Sequence, residues 1–221
     1  MFVGHLGVGL ALRRTDDQVS LGVLFAAVLL LDFLLGLFVW LGLERVVVPD
    51  DYARLRYLRF EFPYSHGLLA SVAWSALAFA ATAAWLRGRP RRATAAAVVA
   101  LAVFSHFPCD ALEHPPQLPL AGPGSPAIGL GLWDHLGAAL AVEAALVAAG
   151  LALYLGAATR PDARRRHILI AAMVGLSALA FGGQALSPTP PSTTANVIAW
   201  LTLPVALGLF GFWIDRPPRE A

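Results

Sequence analysis

Long apolar runs separated by short polar stretches make up most of this chain. A helix that crosses a bilayer needs about 20 apolar residues, and six of the runs approach or exceed that length. They cover residues 19–43, 64–86, 93–112, 128–158, 168–186 and 196–214. The pattern predicts an all-α membrane protein with about six transmembrane helices. It forms one transmembrane domain, 1–221, in which the last two runs serve mainly as scaffold.

The apolar stretch at residues 2–12 is too short to be a further span. As a helix it would be about 16 Å long, whereas the hydrocarbon core is about 30 Å thick. It is therefore predicted to be a half-helix that dips into the membrane or lies along its surface. Arg13 and Arg14 follow this stretch and precede the first long run. That order is typical of an uncleaved signal anchor rather than a cleaved signal peptide.

Composition supports a membrane protein, since 58% of the residues are hydrophobic and 14% are charged. The net charge of +2 does not indicate a nucleic-acid partner, because the arginines lie in short loops between apolar runs. Such loops face the cytoplasm, as in the plasma (inner) membrane of bacteria. The cytoplasmic side would then carry Arg13, the loops with Arg87–Arg92 and Arg160–Arg166, and Arg216. Loops 44–63, 113–127 and 187–195 would face outward.

Histidines and carboxylates lie inside these runs or at their edges. Each ionisable group placed in hydrocarbon costs roughly 2.5 to 3.5 kcal/mol on insertion scales, which makes each one a candidate functional residue. Helix rise puts Asp32, His106 and Glu143 at one level, about 20 Å from the inner boundary. The single cysteine, Cys109, excludes a thiolate cage, so a metal would need imidazole and carboxylate ligands. The full set is His5, Asp32, His66, His106, Asp110, His114, Asp134, His135 and Glu143.

The third run carries the most informative spacing. His106, Asp110 and His114 recur every four residues and therefore stack on one helix face, where a histidine and a carboxylate can ligate one ion. Pro108 lies between them and would free a backbone carbonyl. Such a pair alone is common, and a lone membrane histidine is more often a packing residue. Because Asp32 and Glu143 lie at about the same depth in the membrane as His106, a metal or proton-handling site is favoured.

Four of these residues are weaker candidates. His5 can join the site only if the half-helix is inserted. His114 could be a solvated cap residue. Asp134 and His135 begin the fourth run, where an anion at a helix N-terminus and an interfacial polar residue are equally expected. His114, Asp134 and His135 are therefore assigned to a possible entrance.

The segments GHLGVGLAL, LLLD, YSHGLL, SHFPCDALEHPPQLPL and GLGLWDH, within about residues 1–145, resemble bacterial inner-membrane proteins described as membrane-bound metal-dependent hydrolases. Two positions depart from that family. Phe33 and Leu34 follow Asp32, where the family has an acidic pair, and Glu61 stands where a further histidine is frequent. A carboxylate at Glu61 could substitute as a ligand, so it joins the entrance group. The resemblance implies metal ligands at His5, Asp32, His66, His106 and Asp110.

The chemistry expected of such a site is metal-dependent hydrolysis of an ester or phosphodiester. Zinc is the first candidate metal, with manganese or iron as alternatives. Asp32 and Glu143 are the candidate catalytic carboxylates, Glu143 as general base. The substrate would be a membrane lipid or another small molecule, reached from the outer half of the bilayer.

The alternative function is a transporter that moves a proton, a metal ion or a small solute through the same polar core. Below Asp32 and His106 the runs contain no charged residue. That asymmetry favours an outward-facing site over a pathway. A third class, a structural protein that binds a partner through its arginine loops, has no specific support in the sequence.

Overall fold

The computed structural model describes residues 1–16, 18–157 and 161–216. The chain is mostly helical, as predicted. Within the described residues, five helices are long and apolar enough to cross a membrane, and a sixth span is present if a bent pair is counted as one. The protein is therefore an integral membrane protein of the all-α class. Its helices are α1 (Val3–Leu12), α2 (Leu21–Val28), α3 (Leu30–Trp40), α4 (Tyr52–Leu55), α5 (Leu68–Trp85), α6 (Arg92–Glu113), α7 (Leu136–Leu155), α8 (Ala163–Leu186) and α9 (Thr193–Ile214).

The first predicted span is broken. Helices α2 and α3 meet at Leu29 at an angle of 48°, and Leu29 itself leaves the helical region at φ −104° and ψ 8°. The prediction of one continuous helix over 19–43 was therefore wrong. The break leaves the carbonyl of Val28 available, and it accepts a hydrogen bond from His106 Nδ1 at 2.7 Å. His106 thus supplies a hydrogen-bond partner for the backbone carbonyl that the bend exposes.

Two antiparallel hairpins lie at one end of the bundle. Strand β1 (Arg45–Val47) pairs with β2 (Arg59–Glu61), with α4 between them, and β3 (Leu118–Pro119) pairs with β4 (Ala127–Ile128). We call residues 44–63 and 114–135 the hairpin end. The opposite end, with the arginine-bearing loops, is called the arginine end.

The fourth span starts later than predicted. Residue 128 belongs to β4, and a 3-10 helix at Leu132–His135 precedes α7. Gly131, at φ 71°, separates the strand from the 3-10 helix in a conformation that L side chains rarely adopt. The predicted end of this span at Ala158 lies outside the described residues, as does Arg160.

The half-helix α1 is inserted in the bundle, where it packs on α7 and also contacts α2 and α6. Gly7 and Gly150 allow this, since a Cβ at Gly150 would lie 1.9 Å from the Gly7 carbonyl oxygen. Glu143 Oε2 accepts hydrogen bonds from the backbone N–H groups of Phe2 at 2.9 Å and Gly4 at 3.0 Å. A carboxylate of α7 thus caps the N-terminus of α1. Of the two predicted positions, α1 therefore takes the inserted one and does not lie along the surface of the bundle.

The arginine end is closed by polar contacts and by an apolar core. Arg13 donates to Asp215 at 2.7 Å, and Tyr154 donates to the same carboxylate at 2.8 Å. Between this network and the hairpin end lies a core of side chains with no exposed surface, including Leu6, Leu10, Leu21, Leu24 and Phe25. Polar side chains near the hairpin end are therefore separated from the arginine end by packed hydrocarbon.

Candidate metal centre

His66 is oriented by a chain of buried polar groups. Ser65 Oγ donates its only proton to Glu44 Oε2 at 2.7 Å, and it lies 2.8 Å from His66 Nδ1. Because that hydroxyl proton is committed, Nδ1 must be the donor in the second contact. In the neutral ring, the lone pair is then on His66 Nε2. Glu44 lies outside the membrane-spanning helices, and burial raises the pKa of its carboxyl against the opposing effect of the Ser65 bond.

His106 is fixed in the same tautomer by the backbone. Its Nδ1 donates to the Val28 carbonyl that the break between α2 and α3 leaves available. A carbonyl only accepts, so Nδ1 carries a proton, and in the neutral ring the lone pair is then on Nε2. A histidine that donates one ring nitrogen to a carbonyl and presents the other is the usual arrangement of a metal ligand.

The two unprotonated nitrogens face each other. His66 Nε2 and His106 Nε2 are 3.1 Å apart, and Asp110 Oδ2 lies 3.6 Å from the first and 3.4 Å from the second. The two imidazole nitrogens and the carboxylate oxygen therefore surround one small volume. Ligand atoms of these three residues all lie within 4.8 Å of one another. These buried imidazole and carboxylate groups could hold a metal ion.

Asp110 is the centre of the cluster. Its Oδ1 accepts from His5 Nε2 at 3.1 Å and from the amino group of Met1 at 3.0 Å. Its Oδ2 faces His66, His106 and, at 3.4 Å, His114. Its side chain is 3% exposed, so these contacts replace water as its surroundings.

His5 and Asp32 complete a second group of possible ligands with His106. The His5 ring stacks on His106 with centroids 3.8 Å apart, and its buried Nδ1 has no hydrogen-bond partner in the described ranges of the chain. Asp32 Oδ1 lies 3.8 Å from the Nε2 atoms of both His66 and His106. Ligand atoms of His5, Asp32 and His106 also lie within 4.8 Å of one another. A buried imidazole nitrogen without a hydrogen-bond partner is available as a ligand for a metal ion.

His114 differs from the other histidines in its tautomer. Gln117 Oε1 accepts from the Phe60 N–H at 3.0 Å, which leaves the amide nitrogen to donate to His114 Nδ1 at 2.6 Å. The proton of His114 is therefore on Nε2, which points to Asp110 Oδ2. Hence His114 is a donor that orients Asp110, and its buried position places it inside the cluster rather than at an entrance.

The other predicted site residues lie apart from this cluster. Glu143 caps α1, although it lines the same cavity as the cluster. Glu61 is exposed in β2 opposite Arg45. Asp134 accepts a hydrogen bond from Tyr57 at 2.7 Å, and burial, with this bond, raises the pKa of the tyrosine to about 12. His135 is exposed just before α7.

Several residues of the site were not predicted from the sequence. Glu44 and Ser65 orient His66, and Gln117 orients His114. Glu113 has no exposed surface; it accepts from Trp133 Nε1 at 2.9 Å and lies 3.2 Å from the Met1 amino group. Ser65 adjoins His66 in YSHG, and Glu113 adjoins His114 in ALEH. Their position next to candidate histidines is the sequence feature by which these two residues could have been found.

A cavity of about 790 Å³ connects the cluster with the apolar surfaces of α8 and α9. Asp32, His66 and Asp110 line its polar part. Its apolar walls come from α8, α9 and the loops of the hairpin end, so the helices predicted to be scaffold also shape the site. The apolar lining includes Leu35, Phe62, Leu179, Ala180, Ala199, Trp200 and Leu203.

The site therefore defines a helical membrane protein with a buried histidine and aspartate cluster that opens into a largely apolar cavity. No protein-family model, curated protein or solved structure matches this chain. The resemblance to membrane-bound metal-dependent hydrolases accordingly stays a prediction.

Ser65→Ala is expected to weaken metal binding by about 10- to 100-fold, the usual effect of losing a group that orients a metal-bound histidine. The variant removes the hydroxyl that donates to Glu44 Oε2 and contacts His66 Nδ1, so the ring can adopt the wrong tautomer, while Glu44 Oε1 keeps its two backbone donors. Ser75→Ala is the matched control, since Ser75 is also a buried serine but donates only to the Ser71 carbonyl within α5. Titration against a chelator of known affinity measures the effect. Equal affinity of the two variants would contradict the role assigned to Ser65.

Proposed function

We propose that this protein is a membrane-embedded metal-dependent hydrolase that acts on an ester or phosphodiester of a lipid. The observation that carries the proposal is the pair of unprotonated Nε2 atoms of His66 and His106, which face each other beside Asp110. They do so at the polar end of a cavity whose remaining walls are largely apolar.

The residues take separate roles in this proposal. His66, His106 and Asp110 would hold a divalent ion, with His5 as a further ligand through its unpartnered Nδ1. A bound ion would supply an activated water and polarise the scissile bond. Asp32 lies beyond 3.5 Å from both imidazoles and is 16% exposed, so it is the carboxylate best placed to accept a proton from water in the cavity. Glu143 is the second candidate for that role.

A lipid fits the cavity better than a polar solute does. Helix α8 is mostly exposed in the described structure, with Val174 62% and Leu186 80% exposed, as expected for a helix that faces lipid. The inner face of α8 also lines the cavity, so acyl chains and the cluster share one space. If the arginine end is cytoplasmic, as in a bacterial inner membrane, the cluster serves the outer half of the bilayer.

The transporter alternative has less support. A carrier needs polar groups that continue to the other side of the membrane. Between the cluster and the arginine end, the described residues form an apolar core in which Leu6, Leu24 and Phe25 have no exposed surface. A site with one-sided access is what an enzyme needs.

Hydrolysis by purified protein in detergent tests the proposal. Wild type is stripped with chelator, reloaded separately with zinc, manganese or iron, and assayed against phospholipid vesicles and against lipid esters without phosphate. We expect hydrolysis that depends on the metal, and His106→Ala should remove it because one of the two facing nitrogens is lost. His135→Ala is the control, since His135 is exposed outside the cluster. Metal-independent hydrolysis, or no hydrolysis of either substrate with any metal, would contradict the proposal.

A further inference from the structure

Arg56 occupies an unusual position at the hairpin end. It follows α4 with φ 63°, a left-handed conformation that is uncommon for residues other than glycine. This conformation ends α4 and precedes the strand β2. Arg56 lines the same cavity as Asp32, His66 and Asp110. A strained backbone that places a charged side chain in a cavity is a feature of functional sites.

One nitrogen of the Arg56 guanidinium lacks a hydrogen-bond partner among the described residues. Its Nη1 is buried and makes no hydrogen bond within the described part of the chain. Three other arginines of the described chain form ion pairs: Arg13 with Asp215, Arg54 with Asp51 and Arg165 with Asp162. A buried cationic N–H without an acceptor is costly, so an acceptor from outside the chain is expected.

A second buried donor lines this cavity. Asn196, in the first turn of α9, has a buried amide nitrogen that makes no hydrogen bond to any residue the structure describes. Arg56 and Asn196 come from separate elements, a loop and a helix, yet both line one cavity with the cluster. Two donors in need of oxygen acceptors point to one oxygen-rich ligand.

The shape and charge of the cavity define the class of that ligand. Guanidinium groups bind phosphate oxygens with matched, often bidentate geometry. The walls contributed by α8 and α9 are mostly apolar and suit hydrocarbon chains. A molecule that satisfies both surfaces carries a phosphate group and acyl chains together.

We propose that Arg56, assisted by Asn196, binds the phosphate group of a phospholipid whose chains lie along α8 and α9. Arg56 is a specificity-determining residue, since it contacts substrate without being one of the cluster residues. This inference names a substrate class for the proposed hydrolase. The claim that the bound phospholipid is hydrolysed rests on that proposed function. The claim that Arg56 binds the phosphate group does not.

Binding measurements test Arg56 without any hydrolysis. The probes are a short-chain diether glycerophospholipid, which has no cleavable acyl ester, the matching diether glycerol without phosphate, and inorganic phosphate. Trp133 and Trp200 line the cavity, so their fluorescence reports binding. Each probe is titrated into chelator-treated protein in detergent, so that no metal-bound phosphate contributes.

Arg56→Gln is expected to weaken phospholipid binding at least about tenfold while leaving the diether glycerol unchanged. Arg56→Lys should restore part of the affinity, and Asn196→Ala should cause a smaller loss. Arg59→Gln is the matched control, because Arg59 is a neighbouring but exposed arginine. Thermal unfolding of each variant checks that the fold is kept.

Equal phospholipid affinity of folded Arg56→Gln and wild type would overturn the proposal. Inorganic phosphate that binds as tightly as the phospholipid would also overturn it, by showing that the chains add nothing. Failure of the hydrolase is distinguishable: if His106→Ala and wild type both lack activity but phospholipid binding still depends on Arg56, the binding inference stands alone.

Discussion

Asp110→Asn is expected to bind no stoichiometric metal and to lose more than about 100-fold of the proposed hydrolytic activity, since losing even an orienting partner costs about 10- to 100-fold. The substitution preserves the size of the side chain and removes its charge. Asp110 Oδ2 faces His66 and His106, while Oδ1 accepts from His5. An amide nitrogen would turn a donor toward at least one of these partners.

Metal analysis of purified protein measures this effect, with zinc, manganese and iron counted per chain. Asp134→Asn is the control, because Asp134 bonds to Tyr57 outside the cluster and is predicted to keep its metal. If Asp110→Asn retained wild-type metal content, the centre of the site would be placed wrongly. A wild type that never carries metal would favour a proton or solute pathway instead.

Gly150→Ala is expected to separate α1 from α7 and, with it, to remove His5 from the cluster. The added Cβ would lie 1.9 Å from the carbonyl oxygen of Gly7, a backbone atom that cannot move aside. Overpacking of this kind costs about 1–3 kcal/mol or more of the free energy of unfolding. The short helix α1 depends on that contact, because it cannot cross the bilayer by itself.

Thermal unfolding and metal content in detergent measure the two parts of this prediction. Gly137→Ala serves as the control in the same helix, since nothing lies within 4 Å of a Cβ built there. We expect Gly150→Ala to lower both the unfolding temperature and the metal content, and Gly137→Ala to lower neither. An unchanged metal content in Gly150→Ala would mean that α1 is not required for the site.

Apolar patterning predicted the helices well because lipid imposes one requirement, a run long enough to cross. The break at Leu29 escaped prediction, since no glycine or proline marks it. It depends instead on the bond between Val28 and His106, which lie in different helices. A bend stabilised by a partner so distant in sequence leaves no local signal.

The ligand candidates could be predicted because charge is rare in apolar runs. His5, Asp32, His66, His106 and Asp110 all lie in the cluster. The protonation of His66 and His114 could not be predicted, because it depends on loops that fold back over the site. Gln117 determines the tautomer of His114 because strand β2 places the Phe60 N–H beside the Gln117 side-chain oxygen.

The capping of α1 by Glu143 constrains the order in which the protein assembles. The helix that carries His5 is made early, but its acceptor, Glu143, follows about 140 residues later in synthesis, as Phe2 and Glu143 are separated by 141 positions. Until α7 has entered the membrane, the N–H groups at the start of α1 lack this carboxylate and His5 lacks its place in the bundle. The complete site therefore cannot exist on a nascent chain before the fourth predicted span is inserted.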